Sequence, residues 1–212
     1  MIILLHWKEL KEESEACVKC DLCKERTNVV FGEGNINSKV MFIGEAPGAD
    51  EDRTGRPFVG RAGQLLTKAL IALNLTRERD YYICNVCKCR PEKNRTPMED
   101  EAKACIPYLR NQVALVKPKI IVCLGATSMK YVMEKVLNNS KKFPDIAEDM
   151  IWREALKTGT MKITRDRGKW LRIKNFSIMS TFHPAALLRD ENKKKLFWED
   201  LKNIKEELES FN

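Results

Sequence analysis

Val40-Met41-Phe42-Ile43-Gly44-Glu45-Ala46-Pro47-Gly48 is a short, unbroken apolar run that stops in a turn of glycine, proline and one carboxylate. A run of this length bounded by turn residues predicts a strand covered on both faces, as in a parallel sheet. The pattern returns three times along the chain. Residues 81–86 lead into Lys88-Cys89-Arg90-Pro91, Ile120–Leu124 stops at Gly125, and Phe176–Thr181 leads into His183-Pro184. Helical patterns fill the intervals. Leu65, Leu66, Ala69, Leu70 and Leu73 share one face. Thr96-Pro97-Met98-Glu99 reads as a capping box with proline at the first helical position. The helix it opens carries Cys105, Leu109 and Val113 inward, is kinked at Pro107 and stops near Pro118. A further helix after Gly125 carries Met129, Val132 and Met133, and the last uses Leu196, Phe197, Leu201, Ile204 and Leu208.

Strands alternating with helices predict an α/β fold, a three-layer sandwich around a mostly parallel sheet, in one domain over residues 1–212. Residues 138–160 are polar and irregular and read as an insertion. Residues 161–173, with Asp166-Arg167-Gly168 in the middle, read as a β-hairpin. In open α/β sheets ligands bind beyond the carboxyl ends of the strands. Three chemically loaded turns fall at such ends: Glu45-Ala46-Pro47-Gly48, the segment around Asn85, and His183-Pro184. Together they make one site hypothesis.

Of the 212 residues 43% are hydrophobic, enough for a core, and the net charge is +8. The positive excess favours a polyanionic partner such as nucleic acid, although a merely basic soluble protein has the same sum. The apolar run at residues 1–5 ends at His6, Trp7 and Lys8, too short for a signal core or a membrane span, so a cytoplasmic protein without membrane association is expected. In that reducing compartment the eight cysteines are thiols, and some of them are candidate metal ligands. Cys17, Cys20 and Cys23 form a C-x2-C-x2-C run, followed by Cys84, Cys87, Cys89, Cys105 and Cys123. Cys89 after a strand and Cys105 on the next helix are placed to face one pocket. Cys84 and Cys123 lie inside strands, where buried structural thiols are common. Zinc in a four-cysteine site and an iron–sulfur cluster fit this spacing equally well.

Taken in order, the motifs resemble the family 4 uracil-DNA glycosylases, a microbial group that carries a 4Fe-4S cluster. The stretches that match are Cys17-Val18-Lys19-Cys20, Val30-Phe31-Gly32-Glu33-Gly34, the run from Gly44 to Gly63, Asn85-Val86-Cys87-Lys88-Cys89-Arg90-Pro91, Asn94-Arg95-Thr96-Pro97, Ala104-Cys105-Ile106-Pro107-Tyr108-Leu109 and His183-Pro184-Ala185-Ala186-Leu187-Leu188-Arg189. The resemblance implies a four-stranded parallel sheet between helices. It implies a structural 4Fe-4S cluster on Cys17, Cys20, Cys89 and Cys105 that tethers the N-terminal segment, with Cys23, Cys84 and Cys87 not needed.

It also implies an enzyme of DNA repair that flips uracil out of the stack and hydrolyses its bond to the sugar, in single- and double-stranded DNA. On the resemblance Phe58 stacks on the base, Asn85 reads its edge, and His183 stabilises the departing anion at O2. Alone, these would read as a core phenylalanine, a turn asparagine and a loop histidine. Glu45 and Ala46 complete the uracil site. In related families an aspartate stands at the position of Ala46, so water handling is assigned to Glu45 with Glu51 in support, behind them Asp50 and Asp52. Gly48 stands where some related enzymes carry a thymine-excluding tyrosine.

DNA grip is expected from Lys88, Arg90, Lys93, Arg95 and Arg189. Leu187 is the expected wedge in the vacated stack, with Leu188 an equal candidate on sequence. The expected partner is uracil-containing DNA, bound by a monomer. A sliding clamp is a candidate protein partner, but no docking peptide is recognisable. The rival reading is a metal-stabilised nucleic-acid-binding protein without catalysis.

Overall fold

The computed structural model describes residues 5–137, 152, 155, 158–173 and 176–211. Its centre is a six-stranded sheet in the order β1-β3-β2-β4-β6-β5. The strands are β1 (Glu33–Gly34), β2 (Val40–Gly44), β3 (Tyr81–Asn85), β4 (Ile120–Leu124), β5 (Trp170–Ile173) and β6 (Phe176–Thr181). The four inner strands β3, β2, β4 and β6 are mutually parallel, as the apolar runs predict, while β1 and β5 flank them antiparallel. The expected four-stranded parallel sheet is thus the centre of a mixed six-stranded one. Two residues of β1 carry no alternation to read. β5 belongs to a hairpin with β6 rather than to one centred on Asp166-Arg167-Gly168.

The helices are α1 (Trp7–Glu15), α2 (Ala49–Thr54), α3 (Arg61–Ala72), α4 (Glu99–Val116), α6 (Ile163–Asp166), α7 (Pro184–Leu187) and α8 (Glu191–Glu209). Between α4 and α6 lies α5, which begins as Ala126–Ser128, passes through the π-helical stretch Met129–Glu134 and ends as Lys135–Leu137.

β2, β3 and β4 are buried along their whole length, and their two faces feed two different cores. Met41, Ile43, Tyr82, Cys84, Ile121 and Cys123 pack towards α4 and α5. Val40, Phe42, Tyr81, Ile83, Ile120 and Val122 pack with Leu66 and Leu70 of α3 and with Phe197, Leu201 and Ile204 of α8. Each such side chain contributes about 2 kcal/mol by leaving water. A one-residue slip would exchange the faces of a whole strand, so these two cores fix the register. That register sets Gly44 beside Asn85. The chain leaves β2 for β3 on one side and returns to β4 on the other, so a crevice opens at the carboxyl end of β2.

Two local expectations are corrected. The Thr96 capping box lies before the true start of α4: the Glu101 carboxylate accepts the Met98 N–H at 2.7 Å and pairs with Arg95, so Met98 is the cap residue. α4 runs through Pro107 as one helix. Asp166 does not serve a hairpin turn because its carboxylate accepts the Lys162 N–H at 2.8 Å and closes the first turn of α6. Most of the segment 138–160 lies outside the described residues, but Trp152 is fully buried and its Nε1 donates to the Trp170 carbonyl.

Asp200 of α8 is wholly buried. It accepts from the Thr181 hydroxyl and from Arg167 Nε, the latter at 2.8 Å. These bonds anchor the end of β6 two residues before His183. Asp200→Ala leaves the Arg167 guanidinium without its carboxylate, and the expected loss is about 3 kcal/mol in urea denaturation. A loss below about 1 kcal/mol would show that Arg167 finds another partner.

Candidate functional site

The crevice at the carboxyl ends of β2, β3 and β6 is a cleft of about 630 Å³. Glu45, Ala46, Phe58, Asn85 and His183 all line it, so the structure brings the expected base-binding residues together. Its floor depends on Gly44. A Cβ there would lie 2.4 Å from Asn85 Oδ1 and 2.5 Å from Phe58 Cζ, both far inside contact distance. Asn85 ends β3 and is 2% exposed. Its Oδ1 is buried and accepts no hydrogen bond. A buried amide oxygen without a donor is costly, and it marks a place where a ligand N–H is expected.

Phe58 holds the left-handed backbone conformation, with φ of 54°. A phenylalanine adopts it only when its surroundings impose it. Two contacts do so. Gly63 brings α3 so close that a Cβ would stand 2.1 Å from the Phe58 carbonyl carbon. Arg77 donates to the Pro57 carbonyl at 2.8 Å and to the Phe58 carbonyl at 3.2 Å, and is itself held by Glu33 at 3.3 Å. The Phe58 and His183 rings then stand 6.1 Å apart, inclined at 37°. Sequence reasoning missed Arg77, which lies distant in the chain and carries no motif.

His183 caps α7, its Nδ1 accepting the Ala185 N–H at 3.2 Å. An accepting Nδ1 leaves the proton of the neutral ring on Nε2. Burial pushes the imidazole down to about 4 from its ordinary 6.5, with the nearby Glu51 carboxylate opposing the shift. The carboxylates divide into different tasks. Glu51 accepts the N–H groups of Val59 at 2.9 Å, Gly60 at 2.8 Å and Gly48 at 3.1 Å, so both its oxygens are occupied in holding the loop. Asp52 is buried and accepts the backbone N–H groups of Thr27 and Asn28. Asp50 lines the cleft and pairs with Arg53 at 3.1 Å. Glu45 lines the cleft and accepts a bond from the Thr127 hydroxyl, which reaches across from the start of α5.

The basic residues separate likewise. Arg95 and Arg189 line the cleft, joined by Arg61, which the sequence reading did not single out. Arg95 is also paired with Glu101. Arg90 lies outside that lining, its Nε donating to Asn94 at 2.8 Å. Lys93 is exposed and paired with Glu92. Lys88 is corrected outright. It is 1% exposed, its ammonium enclosed between the Asn85 carbonyl at 2.7 Å and Gln112 Oε1 at 2.6 Å. It cannot touch a phosphate. Of the two leucines, Leu187 is 1% exposed in the core beside α8, whereas Leu188 is 42% exposed. The expected wedge at Leu187 is therefore enclosed, and the free side chain is Leu188.

A second cavity is lined by Cys17, Cys20, Cys23, Cys89 and Cys105, together with Ser14, Arg26, Lys88 and Tyr108. All four cysteines expected as ligands are present there, from the segment after α1, the loop after β3, and α4. The donor set suits a soft, anionic sulfur cluster. Lys88 N–H points to Cys105 Sγ at 3.2 Å, and Arg26 Nη1 to Cys89 Sγ at 3.4 Å. Ser14 lines the same cavity, and its Oγ is buried with no hydrogen-bond partner. A cluster sulfide would supply its acceptor. Among the described residues no three His, Cys, Asp or Glu side chains stand close enough to hold one metal ion. Cys84 and Cys123 are fully buried in their strands, where burial raises both thiols.

Known proteins share this arrangement of sequence. The profile of the Uracil DNA glycosylase superfamily matches residues 31–202. A type-4 uracil-DNA glycosylase of Sulfurisphaera tokodaii is 44% identical over 204 residues, covering 94% of this chain and 83% of its own. Type-4 uracil-DNA glycosylases of Thermotoga maritima and Pyrobaculum aerophilum are 40% and 43% identical, each over 92% of this chain and 91% and 90% of their own. A type-5 uracil-DNA glycosylase of Pyrobaculum aerophilum is 36% identical over 48% of the chain. With these matches across nearly its whole length, the chain belongs to the uracil-DNA glycosylase superfamily, in its type-4 group.

Proposed function

We propose that this chain removes uracil from DNA by hydrolysing its N-glycosidic bond, leaving an abasic site for repair in the cytoplasm. The observation that carries the reading is the unpartnered, buried Asn85 Oδ1 in a cleft shared with Phe58 and His183. Uracil donates at N3 and accepts at O4, which one amide satisfies with Oδ1 and Nδ2. Cytosine reverses that pattern and would leave buried polar groups opposed, a penalty that supports strong discrimination.

A base within the duplex is out of reach of this cleft and must be everted. Phe58 offers its ring as the stacking surface, and Leu188 is the exposed apolar side chain that fills the gap left behind. Arg61, Arg95 and Arg189 bind the flanking phosphates, which makes binding weaken with salt. As the glycosidic bond lengthens, negative charge builds on uracil O2. The His183 Nε2–H of the neutral ring, already oriented by the Nδ1 bond to Ala185, donates to it at little reorganisation cost. The sugar becomes cationic, and water adds to C1′. Glu45, oriented by Thr127, is the carboxylate assigned to that water. Glu51 is assigned to loop geometry, since its oxygens are taken by backbone N–H groups.

Cys17, Cys20, Cys89 and Cys105 are assigned as holders of a 4Fe-4S cluster. Bound there, it supplies a rigid tie between chain segments and no redox step. The N–H groups aimed at sulfur and the orphaned Ser14 hydroxyl are what support the cluster reading.

Three outcomes are expected. His183→Ala and Asn85→Ala should each slow uracil release from single- and double-stranded oligonucleotides by roughly 10²- to 10³-fold with the circular dichroism spectrum unchanged. Parental rates would remove the site assignment, and DNA binding without any base release in the parent would indicate a binding module instead. The acid limb of kcat/KM should fall near pH 4 rather than near 6.5, because the neutral ring is the donor and burial keeps it neutral. A limb at 6.5 would mean an ordinary, solvated imidazole. The purified protein should be brown, with iron and acid-labile sulfide in equal amounts, and Cys105→Ala should lose the colour and melt earlier. Zinc without sulfide would overturn the cluster.

A further inference from the structure

Lys88 has no part in the chemistry above, yet it is bonded to a residue of each site, Cys105 and Asn85. It is a lysine buried to 1% exposure whose ammonium faces no carboxylate: it donates to the Asn85 carbonyl at 2.7 Å and to Gln112 Oε1 at 2.6 Å, with the Cys84 thiol as a further partner. Burying an ammonium without a carboxylate is expensive, and a methionine would fill the same space without that penalty. Gln112 is held in turn: its Nε2 donates to the Phe31 carbonyl at 2.8 Å and to the Tyr82 hydroxyl at 3.1 Å. Its oxygen is thereby aimed at Lys88. On its other side Lys88 donates its own backbone N–H to Cys105 Sγ at 3.2 Å. One residue therefore bonds a cysteine of the second cavity through its main chain and the base-reading residue through its side chain.

We propose that Lys88 is a positioning residue for base recognition: its charged bond to the Asn85 carbonyl sets the end of β3, and so the Asn85 amide, while its main chain ties that setting to the cysteine site. A charged donor suits the task. Its bond is shorter and about twice as strong as a neutral one, and it sits where the chain turns out of the sheet. The inference rests on Asn85 as the reader of uracil.

The test compares Lys88→Met, Lys88→Gln and Asn85→Ala, each alone and with Lys88→Met combined with Asn85→Ala. Readouts are the inhibition constant of free uracil, the single-turnover rate of uracil release, iron content and the melting temperature. Lys88→Met should weaken free uracil and slow release by roughly 10- to 100-fold, the worth of a hydrogen bond to a charged group. Lys88→Gln, which keeps a donor but not the charge, should lie between it and the parent. In the double variant the two effects should not add, because both act through one amide. A purely structural lysine would lower the melting temperature with uracil affinity unchanged and effects additive. Parental affinity and rate in either folded, iron-loaded Lys88 variant would overturn the proposal. So would loss of fold in both, which would assign Lys88 to the core alone. Should Asn85→Ala itself behave as the parent, the failure would lie in the uracil site rather than in Lys88.

Discussion

The cleft depends on the close approach at the end of β2, where Gly44 leaves room for Asn85 and Phe58 to meet over its backbone. A single methyl group there would overlap both. Everything that shapes the cleft converges on that point. The parallel register of β2 and β3 brings Gly44 and Asn85 side by side, and the two cores hold that register. Phe58 arrives through a left-handed backbone braced by Arg77 and Gly63. His183 arrives from the end of β6, anchored through Thr181 to Asp200. The site is a consequence of where strands end, and its precision comes from packing far behind it.

Two buried side-chain polar atoms among the described residues have no hydrogen-bond partner, Ser14 Oγ and Asn85 Oδ1. They lie one in each of the two cavities. Native chains rarely tolerate such atoms, so their coincidence with a thiol-lined cavity and a base-sized cleft is evidence in its own right. Lys88 links the cavities by bonding Cys105 and Asn85, and a branch runs from it through Gln112 to the Tyr82 hydroxyl and the Phe31 carbonyl. Trp7 packs edge-on against both of those rings, at 5.4 and 5.5 Å. The N-terminal helix, the cysteines and the floor of the cleft thus form one mechanical unit.

The parallel centre of the sheet was legible because strands buried on both faces must be apolar throughout, and residues 40–44 and 120–124 obey that rule. The edges were not. β1 has two residues, and the Asp166-Arg167-Gly168 stretch has the composition of a turn while Asp166 is consumed in closing a helix. In the site, the residues with a recognisable motif that line one cleft are Glu45, Ala46, Phe58, Asn85, His183, Arg95 and Arg189. The errors concern direction rather than position. Lys88 and Leu187 stand beside the right loops but point inward, and neighbours in sequence gave no sign of it. Arg77 and Thr127 were invisible because their roles exist only across the fold.

The left-handed backbone at Phe58 has a consequence for how this protein would respond to selection for heat resistance. Strain held in a native loop is removed most easily by substitutions that let the loop relax, and such changes raise stability. At this loop they would release the ring from its place above Gly44. Variants gained in a thermal screen at residues 55–63 would therefore be expected to trade turnover for endurance, with the aromatic platform the first thing surrendered.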